Sequence, residues 1–338
     1  MAADNRKVRV SLIMPCYNEV KYISRSLDSI VANDYPKENI EVIIYDGGST
    51  DGTLEILEKY RNENEYIRYK NNPKKIQAAA LNSGIADALG EIIIRVDAHC
   101  IYEKDYISQA VKLLDETEAA NVGGAQIGTG DSFFSATVAF AMLNPFISGN
   151  AYYRSCNNAP RYVDTVFLGA WRKCDLVKIG GFDESFRINE DYELNYRLRE
   201  KKEKVLYSPS IKVKYFVRSS FPGIIRQYFR YGYWKAKTII KHPGSLMPRQ
   251  LAAPVFLLFL AITGGLFLLG HRIYLPGILI AYLAAFMYFT FRASGTCELR
   301  RLPLLFLLAL VIHLSWGAGF WSGMVYWHGM GRIREGIK

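Results

Sequence analysis

From Val8 to Pro15 the chain is rich in apolar and β-branched residues, the pattern of a strand. The period then changes. Across Glu19–Ala32 the apolar positions Ile23, Leu27, Ile30 and Val31 fall on one face of a helix. Ile40–Tyr45 predicts a second strand, stopped abruptly by Asp46-Gly47-Gly48-Ser49. Thr53–Tyr60 reads as a helix, Tyr66–Tyr69 as a short strand and Ile76–Leu89 as an alanine-rich helix. Glu91–Val96 is a third long strand, running into Asp97. Strands alternating with helices of this length predict a mostly parallel sheet in a doubly wound α/β fold. Ligands in such folds sit beyond the carboxyl ends of the strands, so the loops after Pro15, Tyr45 and Val96 are expected to share one crevice. Beyond residue 120 the rhythm loosens. A strand is expected over Asn121–Ile127, an apolar helix over Asp131–Ile147, a turn at Gly180-Gly181-Phe182-Asp183 and a charged helix over Ile188–Lys201.

The last third follows a different pattern. In Phe221–Ile240, Phe221, Ile224, Ile225, Tyr228, Phe229, Tyr231 and Trp234 alternate with Arg226, Arg230, Lys235 and Lys237. Such a helix suits the membrane interface, with an ordinary packed amphipathic helix as the alternative. Leu251–Gly270 and Ile273–Phe291 then carry no charge, and Leu302–Trp327 is a third apolar run. Each is long enough to cross a hydrocarbon layer of about 30 Å. The expected organisation is a cytoplasmic α/β domain over 1–220, a basic interface segment over 221–250, and a transmembrane domain over 251–338. Its spans are expected at about 251–270, 273–291 and 302–327.

Composition sharpens this division. Half of the 338 residues are hydrophobic, which excludes a disordered chain. The net charge of +10 is unevenly placed. Residues 1–203 carry 25 basic and 30 acidic side chains, residues 204–250 carry ten basic and no acidic ones, and residues 251–338 carry seven basic and two acidic. Basic residues beside an apolar tract fit an anionic membrane or a lipid phosphate, and no nucleic-acid partner is expected. Five scattered cysteines without a Cys-x-x-Cys pair suit a reducing compartment. Met1–Val10 has no apolar core of a signal peptide, so the soluble part is expected to remain cytoplasmic, and the apolar runs make this a multi-pass protein of the inner (plasma) membrane in expectation. With the first domain inside, the Arg292–Arg301 loop obeys the positive-inside rule, whereas Arg332, Arg334 and Lys338 break it. Either the third run does not span fully or the tail is an exception.

Three constellations carry candidate chemistry. Asp46, at a strand end before Gly47-Gly48-Ser49-Thr50-Asp51-Gly52, suits hydrogen bonds to a nucleoside base or sugar, or else a tight turn capping the next helix. Asp97 and His99, taken as alternate positions continuing a strand, would share one side and could hold a divalent cation that bridges phosphates. Glu190-Asp191 opens a helix, where the dipole alone favours carboxylates; one of the two could instead be a general base for an attacking hydroxyl.

The run Val10 to Glu19 containing Pro15-Cys16-Tyr17-Asn18-Glu19, then Asp46 to Thr53, Asp97-Ala98-His99, Gly180-Gly181-Phe182-Asp183 and Glu190-Asp191 together resemble glycosyltransferase family 2 in order and spacing. The resemblance covers about residues 8–205, and the tail is similar to the membrane-anchored branch of succinoglycan-type glucosyltransferases. It implies a GT-A fold (Rossmann-like), a nucleotide-sugar donor, most often UDP-linked, Mg²⁺ or Mn²⁺, and inversion at the anomeric carbon. It also implies that Pro15, Tyr17 and Glu19 border the nucleotide, that Asp46 and Asp97 contact it, that Asp97 and His99 hold the metal, and that Asp191 is the base. Two departures stand out. Gly47 occupies a position where the family commonly has a second aspartate, and His99 replaces the second acid of Asp-x-Asp. Gln227-Tyr228-Phe229-Arg230-Tyr231 resembles the Gln-x-x-Arg-Trp motif of polysaccharide synthases, which implies that Gln227, Arg230 and Tyr231 help bind the diphosphate and the acceptor. The resulting expectation is sugar transfer to a lipid-linked (polyprenyl diphosphate) saccharide. The alternatives are transfer to a polyprenyl phosphate and a degenerate transferase serving as a membrane scaffold.

Overall fold

The computed structural model describes residues 8–149, 151–154, 159–293 and 298–335. Cys156, Cys297 and Lys338, which entered the cysteine and charge arguments, lie outside the described residues. The chain divides into two compact units. The first takes residues 1–127 and 156–216, the second residues 128–155 and 217–338.

The first unit is built on β1 (Val10–Cys16), β2 (Ile40–Asp46), β3 (Ile67–Asn71) and β4 (Ile92–Arg95), separated by helices α1 (Ile23–Val31), α2 (Thr53–Glu63) and α3 (Gln77–Asp87). These strands are parallel and lie in the order β3-β2-β1-β4, with Cys16 opposite Asp46 and Ile13 opposite Arg95. Every residue of β2 and β4 is buried, which is why both read as continuous apolar runs without alternation. Ile13, Ile43 and Ile93 belong to one core cluster with Ala78 and Leu81 of α3. Leu12, Val42 and Ile94 project to the opposite face by strand alternation and are equally buried.

The chain continues through β5 (Cys100–Tyr102), α4 (Tyr106–Glu116) and β6 (Ala119–Thr129). Helices α5 (Phe133–Leu143) and α6 (Pro145–Ser148) follow and belong to the second unit. The first unit resumes with β7 (Arg161–Tyr162), β8 (Phe167–Arg172), α7 (Lys173–Ile179), α8 (Glu190–Glu200) and β9 (Lys204–Phe216). Here the pairing turns antiparallel: β8 joins β4 to β6, and β9 pairs with β5 and β7. The sheet is therefore mixed, and its parallel part is the one that alternation with helices had announced.

Three elements differ locally from the sequence expectation. Helix α1 starts at Ile23 rather than Glu19, because Asn18 takes φ +53° and Glu19–Tyr22 form a turn first. The apolar helix expected over Asp131–Ile147 breaks in two at Asn144, whose side chain accepts from Phe146 N at 3.0 Å, with Pro145 opening α6. Asp97-Ala98-His99 is a turn after the end of β4, so the strand-alternation argument for placing Asp97 and His99 on one side does not apply.

In the second unit α9 (Phe221–Lys241), α10 (Ala252–Leu268), α11 (Tyr274–Ala293) and α12 (Leu302–Glu335) complete the chain. Among the described residues two helical stretches are long and apolar enough to cross a membrane, Tyr274–Arg292 and Leu299–Gly329. Helix α10 is apolar but has 17 residues, a rise of about 26 Å. Helix α9 packs along α12: a Cβ on Gly319 would stand 2.0 Å from Phe229 O, and one on Gly323 2.5 Å from Tyr233 O. Backbones this close tolerate only glycine. Beyond this seam Tyr233, Trp234, Tyr326 and Trp327 form an aromatic cluster, with the Lys237 ammonium 4.8 Å from the Trp327 ring.

Candidate functional site

The carboxyl ends of β1, β2 and β4 lie side by side in the first unit, and the loops that leave them are bound to one another. Asp46 is 3% exposed and folds its own turn: Oδ2 accepts from Gly48 N and Ser49 N, both at 2.8 Å, and Oδ1 accepts from Ser49 Oγ. Asp46 thus closes the tight turn itself, while helix α2 begins after Gly52 without a side-chain cap bond, and Asp46 still ends a central strand where ligands bind. Ser49 Oγ in turn accepts from Asn18 N at 2.8 Å, and Asn18 Oδ1 accepts from Thr50 N at 2.9 Å. Asp51 accepts from Val20 N and Thr53 N, and Glu19 N donates to Thr53 Oγ1. Pro15 is half-buried within β1. Tyr17 stands 54% exposed beside the Gly47 loop, with the Lys75 ammonium 5.9 Å from its ring.

Glu19 reaches across to the third loop. Its Oε1 lies 3.0 Å from His99 Nδ1. A carboxylate oxygen accepts, so Nδ1 donates, a contact of the kind that orients a metal-binding imidazole. Asp97 is 7% exposed; its Oδ1 accepts from Arg95 Nε at 3.2 Å and from Gln77 Nε2 at 3.5 Å. Among the described residues nothing donates to Asp97 Oδ2. The donor set is thus a carboxylate oxygen and an oriented imidazole. Among the described residues no cluster of three or more His, Cys, Asp or Glu side chains is gathered for a metal. That chemistry fits a divalent cation whose shell is completed by ligand phosphates, and does not fit a closed structural site.

The fourth component comes from far along the chain. Arg95, at the end of β4, is buried, and its Nη1 donates to Glu190 Oε1 at 3.0 Å while Nε holds Asp97. Burial works against the Arg95 charge, but Asp97, Glu190 and Asp191 outweigh it and raise its pKa further, so the guanidinium stays charged. Glu190 is 3% exposed; burial raises its proton affinity, Arg95 opposes this and Asp191 adds to it, with a net upward shift. Asp191, next along the same first helical turn, is half-buried rather than sealed, and its Oδ1 accepts from Tyr192 N at 2.7 Å. Of the two carboxylates, Asp191 is the one open to solvent.

Asp46, Glu19, His99, Asp97 and the Glu190-Asp191 turn are therefore brought to one locus. Gln227, Arg230 and Tyr231 lie on α9 in the second unit, where Gln227 Nε2 donates to Tyr231 Oη at 2.9 Å and Arg230 is exposed. Sequence reasoning missed Arg95, Asn18 and Lys75. A basic residue closing the apolar strand Ile92-Ile93-Ile94 was the available signal for Arg95, since a charge is buried only when paired.

A domain model described as glycosyl transferase family 2 matches residues 11–171. Succinoglycan biosynthesis protein ExoA of Rhizobium meliloti is 32% identical over 333 residues, spanning 96% of this chain and 98% of that protein. A dolichyl N-acetyl-α-D-glucosaminyl phosphate 3-β-D-2,3-diacetamido-2,3-dideoxy-β-D-glucuronosyltransferase of Methanococcus voltae is 30% identical, over 80% of this chain and 85% of its own length. Among solved structures, a mannosyltransferase of Pyrobaculum calidifontis in complex with GDP-Man and Mn²⁺ aligns with a TM-score of 0.61. It covers 95% of this chain and 88% of that one at 19% identity, which gives the fold as GT-A-like. With the motif-bearing loops gathered in one place and relatives matched over nearly the whole chain, the protein is a glycosyltransferase that belongs to glycosyl transferase family 2.

Proposed function

We propose that the protein is an inverting hexosyltransferase that moves a sugar from a nucleotide-sugar, a UDP-hexose, onto a lipid-linked saccharide during exopolysaccharide or glycan assembly. The observation that carries this reading is the continuous set of contacts from the Asp46 turn through Asn18 and Glu19 to His99, and through Asp97 and Arg95 to Glu190-Asp191. A donor nucleotide lies against Pro15, Tyr17, Glu19 and the Asp46 loop. The acceptor hydroxyl gives its proton to Asp191 as its oxygen bonds to the anomeric carbon. The bond from that carbon to the diphosphate oxygen breaks, and the diphosphate leaves with the electron pair. Asp97 and His99 would hold Mg²⁺ or Mn²⁺, which supplies positive charge where the leaving group becomes negative. The buried Arg95 keeps Asp97 and Glu190 compensated, and the half-buried setting of Asp191 leaves it reachable by an acceptor.

Support for a nucleotide-sugar donor and a divalent cation comes from the mannosyltransferase neighbour, solved with GDP-Man and Mn²⁺, while the choice of UDP rests on the family resemblance. Support for the acceptor comes from the Methanococcus relative, whose name specifies a dolichyl sugar phosphate, and from the ten basic residues over 204–250 with no acid among them. Arg230, with Gln227 and Tyr231, serves the diphosphate or the acceptor, as a guanidinium and a ring beside it suit phosphate and sugar. Helices α10, α11 and α12 anchor the protein in the inner membrane with the first domain cytoplasmic, and three spans suit stepwise addition better than export of a growing polymer. The test incubates membranes with labelled UDP- and GDP-sugars and a polyprenyl-diphosphate-linked acceptor, with and without Mn²⁺. Asp191→Asn is expected to lower transfer about 10²-fold or more; equal product from both proteins removes Asp191 from the mechanism.

A further inference from the structure

Arg95 is the buried cation that joins the two halves of the site. It leaves β4 two residues before Asp97, and one guanidinium spans the Asp97 turn and the first turn of α8 through adjacent nitrogens. No other basic side chain among the described residues contacts Asp97. We propose that Arg95 is a positioning residue that couples occupancy of the donor loop to placement of the base, because a single rigid fork holds both Asp97 and the carboxylate adjoining Asp191. The proposal rests on the sugar-transfer reading above and adds a residue and a role to it.

The physical argument is one of geometry. A guanidinium is planar, and its nitrogens cannot move independently. A shift of Asp97 towards a bound diphosphate and its cation draws Arg95 along, and Glu190 follows at the other end of the fork. Glu190 and Asp191 share the first turn of α8, whose backbone moves as a unit, so the carboxylate of Asp191 is re-aimed when the donor loop fills. A lysine keeps the charge but is a point charge on a flexible stem, without the planar fork that holds two carboxylates at a set separation. Misplacing a reacting group by about 1 Å costs on the order of 10²-fold in rate.

The test compares wild type, Arg95→Lys, Arg95→Met and the double variant Arg95→Met with Glu190→Gln, all as full-length protein in detergent. Transfer kinetics, thermal midpoints and amide hydrogen exchange over residues 188–200 are measured with and without UDP and Mn²⁺. Arg95→Lys is expected to lose about 10²-fold in kcat with donor KM within about threefold. Wild type gains protection at the start of α8 when UDP binds, and Arg95→Lys does not. The double variant recovers thermal midpoint relative to Arg95→Met, since no buried carboxylate is left without its cation at α8, but recovers no kcat. Recovery of kcat together with the midpoint would show that Arg95 only holds the fold, and the proposal falls. It also falls if Arg95→Lys raises donor KM with kcat intact, or if α8 protection on UDP binding is unchanged. A wild type that transfers no sugar from any nucleotide-sugar rejects the functional reading itself, which separates the two failures.

Discussion

Glu190 and Asp191 are neighbours with opposite settings, and one titrates in a way that can be checked. Burial raises the Glu190 pKa first; Arg95 pulls it down, and Asp191 pushes it up again. The folded chain thus binds this proton more tightly than the unfolded one, so the linked stability is present in full below the ordinary glutamate range and is lost as pH rises through the raised value. The thermal midpoint of wild type is expected to fall from about pH 5 to about pH 8 more steeply than that of Glu190→Gln, which has no proton to lose. Parallel midpoint curves would contradict the shift. Side-chain setting is also where sequence gave least. Spacing could not tell Glu190 from Asp191, because helical adjacency places both in one turn, and it is burial and the Arg95 contact that separate them. At Gly47 a Cβ would stand 3.3 Å from Tyr17 Cδ2, so a side chain there needs the exposed Tyr17 ring to give by a few tenths of an ångström.

At the level of elements, the parallel strands were legible because burial on both faces writes a continuous apolar run, as in Ile40-Glu41-Val42-Ile43-Ile44-Tyr45. Even its one charge is accounted for, since Glu41 accepts from Ser11 Oγ, Leu89 N and Arg68 Nη2. Of the antiparallel strands only β6 was legible, as the run expected over Asn121–Ile127. β9 mixes Lys204, Ser208, Ser210, Lys212 and Lys214 with apolar residues, and β7 is two exposed residues, so neither has a run to recognise. Helix α9 was readable as amphipathic, but its partner was not, because the contact is written in glycines of α12 rather than in bulky residues. That seam makes a prediction. Gly319→Ala forces a Cβ against the Phe229 carbonyl, whereas Gly264→Ala on α10 meets no atom within 4 Å. The first is expected to destabilise the protein by about 1–3 kcal/mol and lower its thermal midpoint in detergent, the second to leave it nearly unchanged. Equal midpoints for the two variants would mean that the α9–α12 approach contributes nothing.

For the whole molecule, hydropathy suggests a cut near residue 220, with everything before it water-soluble. The contacts divide the chain differently, because residues 128–155 group with the C-terminal helices. The reasons are specific and lie within the second unit. The Phe146 ring packs against Tyr282, Phe286, Phe289 and His313, and His313 Nε2 donates to Phe146 O at 2.9 Å. Asn144 Nδ2 donates to Thr290 Oγ1 at 3.0 Å in a buried position, a polar bond that an apolar run could not foretell. A fragment ending at residue 220 keeps α5 and α6 but loses α11 and α12, and so exposes the apolar face those helices cover. It is expected to elute as an aggregate without detergent. The same fragment with residues 130–158 replaced by a glycine-serine linker, which removes α5 and α6 while keeping all of β6, is expected to elute as a monodisperse species and to bind UDP. Were the unmodified 1–220 fragment to behave as a stable monomer in buffer alone, α5 and α6 would not need the C-terminal helices, and the division would follow hydropathy after all.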